Sequence, residues 1–281
     1  MTVAQALAIA RVDFAAAGVP EPRLDAEYLL AHVLGVPRLS LRMNGEAPLA
    51  PGAQAAFDAL AARRRLREPL QYILGTLEFM GLTFRVTPDA LIPRQDTETL
   101  CEQALLRLAP GMRALDLCTG SGALAVSLCV LGGVNVDASD LSAAALALAR
   151  ENAAANGADV RFFAGDLFAP RGGEVYDVIV CNPPYIPEAD CETLQAEVLR
   201  EPRMALCGGA DGLDFYRRLS GEAPGHLAPG GWLLCEVGDV QAAAVSALFA
   251  PVFQDITVYR DLSGLARVVA ARREDADAGK I

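Results

Sequence analysis

From Arg113 onward short apolar runs alternate with helical stretches, and no other feature of the chain narrows its fold as far. ALDLC (114–118), VNVDAS (134–139), VRFFAGD (160–166), YDVIVCN (176–182) and GWLLCEVG (231–238) read as strands. GALAVSLCVLG, SAAALALARENAAANG, a stretch through FYRRLSGEAPGHL and AAAVSALFA read as the helices between and after them. Such alternation predicts an α/β fold with a doubly wound, mostly parallel sheet. DITVYR (255–260) and ARVVAAR (266–272) lie too close together for a crossover helix, so the last strand is expected antiparallel. The tail after Arg273 is expected to fray.

The chain before this region has a different texture. Residues 2–17, 23–34 and 51–66 carry apolar side chains at three- and four-residue spacing, separated by Gly and Pro breakers, and predict a small helical domain. LEFMGLTFRV predicts a hairpin turning at Met80-Gly81. The expected organisation is a helical domain over 1–75, a β-hairpin linker over 76–93 and the sheet domain over 94–281. Asp96 is the expected cap of a helix running to about Leu108.

Charge restricts the partners. The net charge is −11, and it is uneven: nine arginines against eight acids up to Arg85 give +1, leaving fifteen basic residues and twenty-seven acids, or −12, for the rest. An acidic sheet domain is a poor phosphate binder and suits a cationic ligand. Seven scattered cysteines with no C-x-x-C spacing support neither a disulfide framework nor a zinc site, and read as core fillers in a reducing cytoplasm. No metal is expected. The twenty uncharged residues 117–136 have membrane-spanning length, but glycines interrupt them, so they read as a buried strand, turn and helix. The N-terminus carries Arg11 and Asp13 inside its apolar run and does not read as a signal peptide.

The first sheet strand ends in Asp116-Leu117-Cys118-Thr119-Gly120-Ser121-Gly122 and runs straight into a helix. Glycines let this backbone turn tightly and approach a ligand with no Cβ in the way. Asp140, at the end of the second strand, is placed to accept hydrogen bonds from both hydroxyls of a ribose. These features imply an adenosine-type ligand. Two others separate S-adenosylmethionine from a dinucleotide. The G-x-G-x-x-G spacing that seats a pyrophosphate is absent, and Asp116 precedes the loop, where an acid favours a sulfonium and an ammonium but repels a pyrophosphate. In Gly165-Asp166-Leu167-Phe168, an acid and a ring suit adenine N6 and its face; a turn acid and a core phenylalanine explain these two residues equally well.

Asn182-Pro183-Pro184-Tyr185 follows the apolar strand YDVIVC directly, at the carboxyl end where open α/β sheets place their chemistry. An amide or exocyclic amine nitrogen is a poor nucleophile because its lone pair is delocalised. The Asn182 side-chain carbonyl and the Pro183 backbone carbonyl can accept both N–H bonds, aligning the nitrogen with the methyl–sulfur bond. Two prolines stiffen the corner and donate nothing, and Tyr185 offers a flat wall. Asn182 and Pro183 are thus the candidate catalytic residues, and Asn182 to Tyr185 the candidate substrate site.

REPLQYILG (67–75), LIPRQDTETL (91–100), LDLCTGSGALAVSL (115–128), NPPYIP (182–187) and DGLDFYRRL (211–219) together resemble the bacterial release-factor glutamine methyltransferases, the HemK/PrmC family. The resemblance covers nearly the whole chain. It implies a Rossmann-like class I S-adenosylmethionine methyltransferase sheet with a helical N-terminal domain. It also implies methylation of N5 of the glutamine in the Gly-Gly-Gln motif of class 1 peptide chain release factors. Cofactor contacts would come from Cys118, Thr119, Gly120, Ser121, Gly122, Asp140, Phe168 and Asn182, with Arg94 beside the active site. Cys118 stands where the family has glycine, which implies a turn avoiding a glycine-only angle, and Gln95 replaces a proline.

The rival enzymes are a glutamine methyltransferase of a large-subunit ribosomal protein and a DNA adenine-N6 methyltransferase. REPLQYILG and DGLDFYRRL weigh against the first. The acidic sheet domain weighs against the second, which must flip its base and needs a basic groove. A non-catalytic adaptor docking through Arg63, Arg64, Arg65 and Arg67 is the rival from another class; arginines complementing a helix end in solvent explain that cluster more simply. His32 and His226 read as structural, and Glu236 as a buried or strand-end acid without an assigned role. A bacterial cytoplasmic monomer is expected, binding neither nucleic acid nor membrane.

Overall fold

The computed structural model describes residues 1–275, so the expectation for the tail past Asp275 lies outside the described residues. The chain divides into two compact units, Met1–Thr76 with Gln195–Arg200, and Leu77–Leu194 with Glu201 onward.

The first unit holds α1 (Val3–Ala16), α2 (Pro22–Leu34), α3 (Arg38–Met43), α4 (Pro51–Arg65) and α5 (Leu70–Leu74). Thr2 and Gln5 close a capping box at the start of α1, and Gly35 ends α2 in a left-handed cap. Phe14, Leu29, Leu30, Leu41 and Phe57 meet in its core. The two short helices α3 and α5 are too brief for periodicity to reveal and appear only in the structure. The reading of the arginine cluster as a solvated helix end is corrected. Arg64 is 3% exposed, donating to Asp25 at 2.7 Å, to Glu197 at 2.7 Å and to the Glu68 carbonyl at 3.1 Å. Arg67 also grips Glu197, which is why residues 195–200 belong to this unit and not, as the sequence suggested, to the sheet. Arg65 keeps an exposed side chain.

The second unit begins at Leu77, within the first of the hairpin strands β1 (Thr76–Phe79) and β2 (Leu82–Arg85), which turn through Met80 and Gly81, both at positive φ. Phe79 and Phe84 pack edge to face inside the core of the sheet, so the hairpin is part of this unit's packing, not a bare linker. Next come α6 (Asp96–Leu105), β3 (Arg113–Leu117), α7 (Ala123–Gly132), β4 (Asn135–Asp140), α8 (Ala143–Ala155), β5 (Val160–Ala164) and β6 (Tyr176–Cys181). The chain continues with α9 (Asp214–Glu222), β7 (Leu227–Glu236), α10 (Ala242–Phe249), β8 (Gln254–Arg260) and β9 (Ala266–Arg272). Asp96 is the first helical residue of α6; the cap position is Gln95, which makes no side-chain capping bond.

The seven-stranded sheet has the order β5-β4-β3-β6-β7-β9-β8, and β9 runs antiparallel to both its neighbours. Alternate residues feed two cores. Ala114, Val136, Val178, Val180 and Leu234 join α6 and α7, while Leu115, Leu117, Ile179, Leu233 and Cys235 join α9 and α10. A sheet covered on both faces explains runs that read as continuously apolar. Strand order reverses at β3, which opens a crevice at the carboxyl ends of β3, β4 and β6. Residues 117–136 resolve into the end of β3, a loop, α7 and the start of β4, and no described helix is long and apolar enough to cross a membrane.

Cys101, Cys181 and Cys235 are buried. Cys191 and Cys207 form a disulfide, contrary to the expectation of none. Their separation of 16 residues carries no signal; the pairing arises because the chain folds back where Ile186 bridges Cys207.

Candidate active site

The loop after β3 is organised by two aspartates. Asp116 is fully buried, and its Oδ2 accepts from the Thr119 hydroxyl at 2.6 Å and the Ala125 amide at 3.1 Å. Burial pushes its carboxyl up to about 7 against those two bonds, and Oδ1 has no partner among the described residues. Asp140 accepts from the Gly120 and Ser142 amides, each at 2.8 Å. Burial raises its carboxyl as well, with both amides opposing. Each Asp140 oxygen retains a lone pair for a hydroxyl donor. Cys118 does not avoid the glycine-favoured angle: its φ is 58°. A non-glycine residue there costs about 1–2 kcal/mol. Leu167, at φ 45°, is a second such residue. Both line the same cavity, so two of the strained backbone positions lie where a ligand would sit.

That cavity has a volume of about 350 Å³, within the usual range for small-molecule sites. Its charged lining consists of Asp89, Asp140 and Asp166; neither arginine nor lysine lines it among the described residues. This is the composition a cationic sulfonium cofactor fits and a pyrophosphate does not. Cys118, Thr119, Gly120, Ser121 and Asn182 also line it. Gly122 does not; it starts α7 at φ 83°, close against Ala149. Asp166 reaches the rim and is paired with Arg218 at 2.9 Å. Phe168 is a correction. Its ring is buried and stacked on His226, with centroids 4.5 Å apart, and Leu167 lines the cavity in its place. Arg94 is also absent from the lining; it is ion-paired to the buried Glu201, whose Oε2 accepts from the Ile92 amide at 2.9 Å. Leu91 and Pro93 are the residues of that segment that reach the cavity.

At the Asn-Pro corner, Asn182 Nδ2 donates to Thr97 Oγ1 at 3.3 Å, which leaves Oδ1 as the acceptor of this amide. Among the described residues no backbone donor bonds the Pro183 carbonyl. Asn182 and Pro184 line the cavity; Pro183 and Tyr185 do not. The loop is held from outside by residues the sequence reading did not name. Gln241 Nε2 donates to the Tyr185 carbonyl at 2.9 Å. Gly208 lies so close that a Cβ there would meet the Pro184 carbonyl oxygen at 2.5 Å, and one on Gly212 would meet the Tyr185 oxygen at 2.2 Å. The glycine of DGLDFYRRL and Gly208 in the preceding turn are therefore space requirements of the Asn-Pro-Pro-Tyr loop. Gly208→Ala is expected to lower kcat about tenfold or more, because displacements of an ångström at a reacting centre cost up to ~10²-fold. Steady-state kinetics beside a melting curve separates this from unfolding.

The description PrmC N-terminal domain matches residues 5–75, and Methyltransferase small domain matches residues 96–210. A solved methyltransferase from Pyrococcus furiosus superposes with a TM-score of 0.56 at 21% identity, covering 70% of this chain and 91% of that one. Sheet order, switch-point crevice and acid-lined cavity together define a Rossmann-like, S-adenosylmethionine-dependent methyltransferase. Proteins named release factor glutamine methyltransferase align along almost the whole length. One from Geobacter sulfurreducens is 48% identical over 96% of this chain and 96% of its own, and one from Moorella thermoacetica is 46% identical over 98% and 100%. The chain belongs to the release factor glutamine methyltransferase family.

Proposed function

We propose that this enzyme methylates N5 of the glutamine in the Gly-Gly-Gln motif of class 1 peptide chain release factors. The observation that carries the reading is the Asn182 amide, engaged through Nδ2 by Thr97 so that Oδ1 is presented beside an acid-lined cavity. S-adenosylmethionine, when bound, supplies an electrophilic methyl carbon whose bond to sulfur breaks as the bond to nitrogen forms. Asp140 would hold the ribose, and the loop 118–121 would meet the rest of the cofactor. Asn182 Oδ1 and the Pro183 carbonyl accept the two N–H bonds of the substrate amide and fix its approach. The extra proton leaves the nitrogen for water after transfer, so no strong base is needed. Alignment of this kind contributes about 7 kcal/mol or more in favourable cases.

The helical unit recognises the release factor away from the glutamine, and the protein works as a monomer in the bacterial cytoplasm, where translation ends. The N–H acceptors at the corner suit an amide in a flexible tripeptide, which needs no unstacking from a duplex. Incubation with methyl-labelled cofactor and a purified class 1 release factor is expected to add one methyl group. The same factor with Gln→Ala in Gly-Gly-Gln is expected to receive none. Label found on a ribosomal protein, on a nucleobase, or retained on the Gln→Ala factor would replace this reading.

A further inference from the structure

Glu236 ends β7 and is 1% exposed. In the parallel pairing of β6 with β7, Cys181 stands opposite Cys235, so Asn182 and Glu236 leave adjacent strands at the same level. The Tyr185 hydroxyl donates to Glu236 Oε1 at 3.4 Å, Oε2 has no hydrogen-bond partner among the described residues, and Thr97 faces the same carboxyl. Thr97 Oγ1 already accepts from Asn182 Nδ2. A hydroxyl that accepts from an amide has one proton to give, and the buried carboxyl with its unpartnered oxygen is the acceptor beside it. A proton given that way directs a chain from Asn182 through Thr97 to Glu236 and sets which end of the Asn182 amide faces the cavity. The Tyr216 hydroxyl, donating to the Glu236 carbonyl at 2.7 Å, anchors the strand end from the other face.

We propose that Glu236 is a positioning residue for methyl transfer, setting the Asn182 amide through Thr97 and holding Tyr185 directly, so that the oxygen of Asn182 meets the substrate amide. The inference rests on the proposed function and deepens it. Glu236 does not itself line the cavity, whereas Thr97 does. Burying a carboxyl at the end of a strand is costly, and a merely structural strand end would not need one. Burial pushes this carboxyl up to about 7; Thr97, Arg267 and Tyr185 pull it down, and Asp96 pushes it further up. Arg267 of β9, Asp96 and Thr97 of α6 and Tyr185 of the catalytic loop are the polar groups that face it. The ionised carboxyl offers both oxygens as acceptors, whereas protonation turns one of them into a donor.

The test compares wild type with Glu236→Gln, Thr97→Val, Thr97→Ser and the double variant Glu236→Gln/Thr97→Val, using a purified class 1 release factor and labelled S-adenosylmethionine. Glu236→Gln is expected to lower kcat about 10- to 100-fold, with the cofactor Kd and the melting temperature near wild type. Thr97→Val should match that loss and Thr97→Ser should restore most of the activity. The double variant should lose no more than either single one, the signature of one coupled chain. Wild-type kcat should rise with pH through about 7, and this step should vanish in Glu236→Gln. Wild-type kcat in Glu236→Gln, additive losses in the double variant, or a parallel collapse of cofactor affinity and melting temperature would each overturn the proposal. A wild-type enzyme that leaves the release factor unlabelled overturns instead the function on which it rests.

Discussion

Asn182→Ala is expected to remove methyl transfer while leaving the cofactor site nearly intact. The alanine keeps the backbone of the corner and deletes the side-chain oxygen proposed to orient the substrate nitrogen. Loss of a single preorganised hydrogen-bonding group in an active site costs roughly 10²–10³-fold in kcat. The cavity is lined by residues from several strand ends, Asp140 and the loop 118–121 among them, so cofactor affinity should change within several fold (about 1 kcal/mol or less). Asn182→Asp is a sharper control. It retains an acceptor oxygen but has no N–H for Thr97, and it places a second carboxyl near Glu236, so it too should be slow. Single-turnover transfer and calorimetric cofactor binding check both. A kcat within tenfold of wild type in Asn182→Ala would remove the amide from the mechanism.

Arg64→Leu should carry the largest stability effect in the helical unit. The guanidinium is buried between Asp25 and Glu197, and Asp25 is itself 7% exposed. Removing one partner of a buried ion pair costs about 3–5 kcal/mol, because the remaining charge is left without compensation. Leucine lacks the guanidinium end, so the loss would combine the uncompensated charges with a small void. The pH dependence has a definite sign. Burial raises the Asp25 carboxyl above its ordinary value even with Arg64 present, and without Arg64 it would rise further. A carboxyl whose folded pKa lies above its unfolded one contributes most stability below the unfolded value and loses it as pH rises. The deficit of Arg64→Leu should therefore be greatest near pH 7 and shrink toward pH 4. Glu197 behaves oppositely in wild type. Burial alone would raise it, but hydrogen bonds from Arg67 and Arg64 outweigh that and bring it down to about 2. Its contribution is present above its unfolded value near 4.5 and is lost as pH falls toward 2. Native-state hydrogen exchange on α2 and α4 reads both effects without requiring the two units to unfold together.

The alternation of strands and helices, the glycine loop with its flanking acids, and the Asn-Pro-Pro-Tyr corner at a strand end were all legible in the sequence. Each is written in short-range periodicity or in the order of a few consecutive residues, where one strand or turn dictates its own pattern. A helix as short as α5, the place of β9 between β7 and β8, and the Cys191–Cys207 bond left no such trace. The same holds within the site. Asp140 and the loop 118–121 line the cavity, and the sequence could point to them because strand-end acids and glycine turns are local features. Phe168 was assigned to adenine because an aromatic after a strand suits either a ligand or a core, and only packing showed it against His226.

By itself the sequence determined which residues could do the chemistry: an oxygen-rich, proline-stiffened corner next to a loop built for a cationic nucleotide-like cofactor. The tertiary structure alone decided what holds them. Thr97 reaches Asn182 across 85 residues and Arg64 reaches Glu197 across 133, while Gly208 makes room for Pro184. Contacts between such distant positions depend on how helices and strands pack, and an isolated stretch of sequence carries no record of which remote neighbour a buried polar group will find.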